Sequence, residues 1–89
     1  MKTTNPNTAA ACREMGLNIG DTIIGREDWD GWHDAALTLL WMGEEIAVFR
    51  YASRTSSDPD WRLADKETAD WDLTYREWRR AEPGEVTAC

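Results

Sequence analysis

No apolar run in this chain approaches the ~20 residues that a membrane-spanning helix needs. The N-terminus is polar and lacks the apolar stretch of a secretory signal. Both absences lead to the expectation of a cytosolic protein that does not enter a membrane. Cysteine is scarce: two in 89 residues, Cys12 and Cys89, near opposite ends and without metal-site spacing. In a cytosolic protein they are expected as reduced thiols. A bridge between them is the alternative, but one pair is not a disulfide framework. There is a single histidine, His33, so a metal site would lean on carboxylates alone. The carboxylates around it, Asp28, Asp30 and Asp34, miss the calcium-loop pattern. No phosphate-cradling glycine pattern and no nucleophile motif occurs, and Ser53, Ser56 and Ser57 fall in a segment with no helix or strand signal. The expectation is no catalytic residue, no metal and no cofactor.

What the chain does have is acid and tryptophan. Seventeen acids against ten bases give a net charge of −7. One acidic block is Glu27, Asp28, Asp30 and Asp34; a second runs from Asp58 and Asp60 through Asp65, Glu67, Asp70 and Asp72. Such a chain repels nucleic acid and anionic membrane and is steered toward basic protein surfaces. The plainer reading is that acidic loops keep a small protein soluble. Six tryptophans are many for one small domain, and each can bury roughly 150–250 Å². They compensate for a chain length at which only ~60% of the unfolded surface is buried.

Local signals outline an α+β domain over residues 1–82, with 83–89 as a flexible C-terminal tail. "TNPNTAAACREMG" reads as a short helix, capped by Asn5 or Asn7 and ended at Gly16, with Ala11 and Met15 facing the domain. "LNIGDTIIGRE" favours a strand with bends or bulges at Gly20 and Gly25. "EDWDGW" is an acidic loop. Leu37–Met42 and Glu45–Tyr51 form a hairpin about Gly43-Glu44, read as a two-residue type II′ turn. That turn sets Trp41 opposite Ile46, Leu39 opposite Val48 and Leu37 opposite Arg50 on the core face. The other face, with Leu40, Ala47 and Phe49, is also apolar and needs a cover. "SRTSSDPD" is a mobile loop, and "WDLTYREW" alternates as a half-exposed strand broken at Trp78. The architecture expected is a short helix followed by a curled antiparallel sheet of about four strands, closing as a small SH3-like or OB-like barrel.

Tryptophan placement separates core from candidate surface. Trp41 and Trp71 sit in strand patterns and are expected in the core, whereas Trp29, Trp32 and Trp61 lie in or beside acidic loops. An exposed tryptophan ringed by acids has the character of an interface hot spot. "REWRR" is the one concentrated basic stretch, and Arg76, Trp78, Arg79 and Arg80 offer charge and stacking for single-stranded nucleic acid. The plainer reading is that these arginines neutralise nearby acids while Trp78 caps the core.

Three segments resemble a family of small phage and prophage proteins of unknown function. They are "GLNIGDTIIGRE", "GWHDAALTLLWMGEEIAVFRYASRT" and "ADWDLTYREWRRAE", spanning about residues 12–82. The family's pattern is G-L-x-x-G-D-T-I-x-G, then W-H-x-A-x-L-T-L-L-W-x-G, then W-x-L-x-x-R-x-W. Its motifs are structural, so the resemblance implies a phage setting in the host cytoplasm and no activity. Together with the charge, it leads to a non-enzymatic acidic phage protein. The expected partner is a host protein with a basic surface, in a nucleic-acid-handling defence complex such as a CRISPR effector. The residues expected to touch it are Asp28, Trp29, Asp30, Trp32, Asp34, Asp58, Asp60 and Trp61. Direct nucleic-acid binding through Arg76, Trp78, Arg79 and Arg80 is the alternative, and a hydrolase built on His33 and its acids a third.

Overall fold

The N-terminal helix forms where its caps permit. In the computed structural model, which describes residues 1–86, α1 spans Thr8–Glu14, and the Asn7 side chain accepts from the Ala10 amide at 2.9 Å. Gly16 adopts a φ of 70°, the left-handed conformation that lets the Leu17 amide reach back to the Cys12 carbonyl (2.9 Å) and close the helix. Seven residues are too few to hold a helix in water. Docking supplies the difference: Ala9, Ala11 and Cys12 are buried, and Arg13 donates to the carbonyls of Gly43 and Glu44.

The rest of the chain is an antiparallel sheet. Its strands are β1 (Thr22–Asp28), β2 (Trp32–Met42), β3 (Ala47–Thr55), β4 (Arg62–Leu63), β5 (Thr68–Ala69) and β6 (Glu77–Arg80). The order is β4-β3-β2-β1-β6, with β5 pairing β3 further along the edge that β4 uses. The first and last strands of that order do not meet, so the sheet is open and not closed into a barrel. Among the described residues, no helix is long and apolar enough to cross a membrane.

Strand alternation divides the sheet into two faces. One carries Ile23, Ala35, Leu37, Leu39, Ala47 and Phe49, covered by α1, Leu17, Leu73 and Trp78. Trp78 is the largest buried side chain, and its Nε1–H donates to the Leu73 carbonyl at 2.9 Å. Its ring lies over Gly25, where a Cβ would come within 2.8 Å of it. Gly25 is therefore neither a bend nor a bulge; it is the gap into which an indole packs. The second face is covered too: Ile24, Ala36 and Ala52 lie beneath Trp61, Ala81 and Val86.

The hairpin and the 71–78 segment depart from expectation. Gly43 has no positive φ, and the β2–β3 connection is a four-residue loop closed by Gly43 N–H to the Ile46 carbonyl (2.8 Å). The register becomes Met42 with Ala47 and Trp41 with Val48, then, after a bulge at Leu40, Leu39 with Phe49 and Leu37 with Tyr51. The bulge turns Trp41 away from the core, where it is 57% exposed. Residues 71–75 do not extend as a strand. Asp72 accepts from both the amide and the hydroxyl of Thr74, and Leu73–Tyr75 forms a 3₁₀ turn before β6. Residues 83–86 pack on the domain, through Glu85 on Arg79 and Val86 on the second face; residues 87–89, with Cys89, lie outside the described residues.

Candidate functional site: an acidic, aromatic hairpin tip

The β1–β2 connection is Trp29-Asp30-Gly31, between the paired residues Asp28 and Trp32. Asp30 has φ 48° and Gly31 φ 96°, conformations that Asp tolerates and Gly adopts freely. A Cβ at Gly31 would fall on the Ser56 hydroxyl, so glycine is needed there twice over. This close approach joins two loops. The Ser56 amide donates to the Trp32 carbonyl at 3.0 Å, placing the turn of residues 55–58 beside the tip. Asp28, Asp30, Asp58 and Asp60 thus stand at one end of the sheet.

Trp29 tops this end. It is 57% exposed and stacks on the His33 ring, with centroids 3.9 Å apart and planes 10° from parallel. Its Nε1–H donates to Glu27 Oε1 at 2.7 Å, and a His33 ring nitrogen lies 2.9 Å from its carbonyl. The indole is therefore both presented and fixed. Asp28 and Asp30 are exposed and make no ion pair among the described residues. Asp58 is partly neutralised by Arg62 at 2.9 Å, while Asp60 is exposed.

Asp34, Trp32 and Trp61 belong elsewhere. The side chain of Asp34 is only 2% exposed. Its carboxylate accepts from Arg26 Nε (2.8 Å) and Nη2 (3.1 Å) and from Arg54 Nε (2.9 Å). Burial alone would raise its pKa, but the hydrogen bonds and charges of the two arginines outweigh this and hold it below the usual carboxylate range. The Arg26 guanidinium lies 4.4 Å from the Trp32 ring, and that of Arg54 lies 4.3 Å from Trp61. This is a frame of alternating arginine, carboxylate and indole on the sheet's second face. Asp34, expected at a partner surface, lies buried as the counter-ion of these two arginines. Trp32 and Trp61 are half-buried beneath guanidinium groups.

The basic stretch is similarly engaged. Arg76 donates to the Gly25 carbonyl, Arg79 forks onto Glu85, and Arg80 holds Asp21 and the Gly16 carbonyl. With Trp78 1% exposed, no indole is presented there for stacking on a base. The His33 ring meets the Trp29 carbonyl through Nε2 and stacks on the Trp29 indole. Among the described residues, no group of three or more His, Cys, Asp and Glu side chains is placed to hold a metal ion. Cys12 is buried, and burial pushes its thiol up to about 11, so it is protonated at neutral pH.

Sequence reasoning missed Trp41 as an exposed residue. The absence of alternation in "LTLLWMG" was the available signal, since four consecutive large apolar residues, Leu39 to Met42, cannot all alternate into one core. A concavity of about 610 Å³ opens on the second face among Arg26, Asp28, Asp34, Glu77 and Arg79, and Trp29 is not among the residues that line it. Its lining mixes both signs of charge, which gives it no clear ligand preference. The chain matches no family model, no curated protein and no solved structure.

Proposed function

We propose that this chain is a non-enzymatic binding protein that docks its β1–β2 tip, with the adjoining 55–60 loop, onto a basic surface of another protein. The observation that carries the reading is Trp29: 57% exposed, stacked on His33, hydrogen-bonded to Glu27 and flanked in the chain by the exposed Asp28 and Asp30. A fixed indole loses little conformational freedom on binding, and tryptophan anchors contribute ~2 kcal/mol or more at interface centres. The surrounding acids steer association with a basic partner and set its orientation. On the resemblance to phage proteins, the partner is a host protein of a nucleic-acid-handling defence complex, and binding blocks the surface that normally holds nucleic acid. The frame around Asp34 holds the tip in place and does not touch the partner.

The test has two stages. Host lysate, with and without nuclease treatment, is passed over the tagged protein to obtain the partner, and affinity is then measured with purified components. Trp29→Ala should weaken binding roughly 30-fold, the equivalent of ~2 kcal/mol. Asp28→Lys with Asp30→Lys should slow association and reduce its salt dependence. Trp41→Ala, an exposed indole at the opposite end of the hairpin, serves as the control and should leave affinity unchanged. A partner lost with Trp41→Ala and retained with Trp29→Ala would overturn the reading. Recovery that requires intact nucleic acid would move the site to Arg76, Arg79 and Arg80.

A further inference from the structure

Arg50 stands apart from the other arginines. Arg26 and Arg54 share Asp34, Arg62 pairs with Asp58, Arg79 with Glu85, Arg80 with Asp21 and Arg76 with Glu27, while Arg13 caps two carbonyls. In a chain with seven more acids than bases, Arg50 is the one arginine with no side-chain hydrogen bond, ion pair or aromatic contact among the described residues. Sheet register accounts for this. Arg50 lies opposite Thr38, which lies opposite Thr22, so a row of two hydroxyls and one guanidinium crosses three strands of the second face.

The row borders a groove of about 210 Å³. Ala36 and Ala52, themselves nearly buried, lie at its base with Leu63 and Val86 beside them, and no acid lines it among the described residues. The Thr22 and Thr38 hydroxyl oxygens are 2.7 Å apart. One donates to the other, which leaves the acceptor's own proton free to donate outward. A guanidinium and a free hydroxyl are thus set beside an apolar slot. A carboxylate accepts from both, and guanidinium suits its planar, two-oxygen geometry. One cation without a second nearby favours a monoanion over a phosphate dianion, particularly in a chain of net charge −7. That net charge repels anions at long range, but screening over ~8 Å at physiological salt leaves the short-range pairing to decide. At roughly 30 Å³ per water-sized atom, the groove holds about seven non-hydrogen atoms. This matches a carboxylate on a tail of about four carbons.

We propose that this groove binds a small aliphatic monocarboxylate, with Arg50 and the Thr22–Thr38 pair on its oxygens and Ala36, Ala52, Leu63 and Val86 around its tail. The site is independent of the hairpin tip. The probe is sodium isovalerate, titrated into the full chain at fixed ionic strength and followed by NMR at the Arg50 Nε–H and the Thr22 and Thr38 amides. Saturable shifts at these positions are expected, with a Kd on the order of 1 mM for a fragment of this size. Arg50→Gln should weaken binding at least tenfold and Thr38→Val severalfold, with amide spectra elsewhere unchanged because both side chains face solvent or the groove. The neutral amide of the same acid should not saturate. Linear shifts, equal affinity in Arg50→Gln, or acetate binding as tightly as isovalerate would each overturn the proposal.

Discussion

Replacing Asp34 with asparagine tests whether the frame beneath the tip is structural. The change preserves shape and removes the one charge between Arg26 and Arg54. At an effective dielectric of ~20, unit charges 4 Å apart attract by about 4 kcal/mol, and desolvation of the buried carboxylate offsets much of that. Removing one partner of a buried pair costs ~3–5 kcal/mol, chiefly by stranding the other charge. Here the strain is unequal: the Arg26 side chain is 49% exposed and can turn to water, whereas that of Arg54 is 22% exposed and held over Trp61. We therefore expect a loss of about 3 kcal/mol, at the lower end of that range. In a domain of this size this lowers Tm by roughly 12–24 °C at pH 7. Because Asp34's folded pKa lies below its unfolded value of ~3.9, the contribution is fully present above pH ~4 and fades as pH falls through the folded pKa. The gap between wild type and D34N should narrow on acidification. A loss within ~0.5 kcal/mol, the scale of ordinary surface substitutions, would refute the structural role.

Further expectations concern packing and acid stability. Gly25→Ala places a Cβ 2.8 Å from the Trp78 ring, which the core holds on all sides, and should cost ~1–3 kcal/mol in a urea melt followed by tryptophan fluorescence. Gly43→Ala meets the Trp41 ring at 2.6 Å, but that ring is exposed and can swing away, so its effect should stay within ~0.5 kcal/mol. Glu85 is lowered to about 2, first by its hydrogen bonds from Arg79 and then by the Glu82 amide. Its contribution is present above the unfolded pKa of ~4.3 and lost as pH falls toward 2. Glu85→Gln should thus melt below wild type at pH 7 and converge with it near pH 2.

What could be read in advance followed from local chemistry. Asn7 and Gly16 mark the helix ends because capping is settled within a few residues. The β2–β3 hairpin was visible in its strand formers. Its register was not, because a glycine after Met42 suits several turns, and only packing against α1, through Arg13 on Gly43 and Glu44, distinguishes them. The 71–75 segment shows the limit of alternation: Trp71, Leu73 and Tyr75 scan as a strand, yet Asp72 offers the Thr74 backbone a closer partner and bends the chain. The candidate site was half legible. Acids and tryptophans at 28–30 and 58–61 could be named from the sequence. That Asp34 faces inward depends on Arg26 and Arg54, eight and twenty positions away, meeting it through two registers at once.

The division between frame and tip makes stability and binding separable. Small domains hold about 5–15 kcal/mol. A loss of about 3 kcal/mol from D34N leaves at least ~2, and at RT of 0.59 kcal/mol about 97% of the chain remains folded at 25 °C. Affinity for the partner should then be almost unchanged, despite a large drop in Tm. Asp28→Asn with Asp30→Asn should do the reverse, since both acids are exposed and unpaired: melting near wild type, binding weakened. A D34N chain that is folded at 25 °C yet loses its partner would mean that the carboxylate leaves Arg26 and Arg54 on binding. The second face would then be part of the interface, and the frame could no longer be treated as a passive support for Trp29.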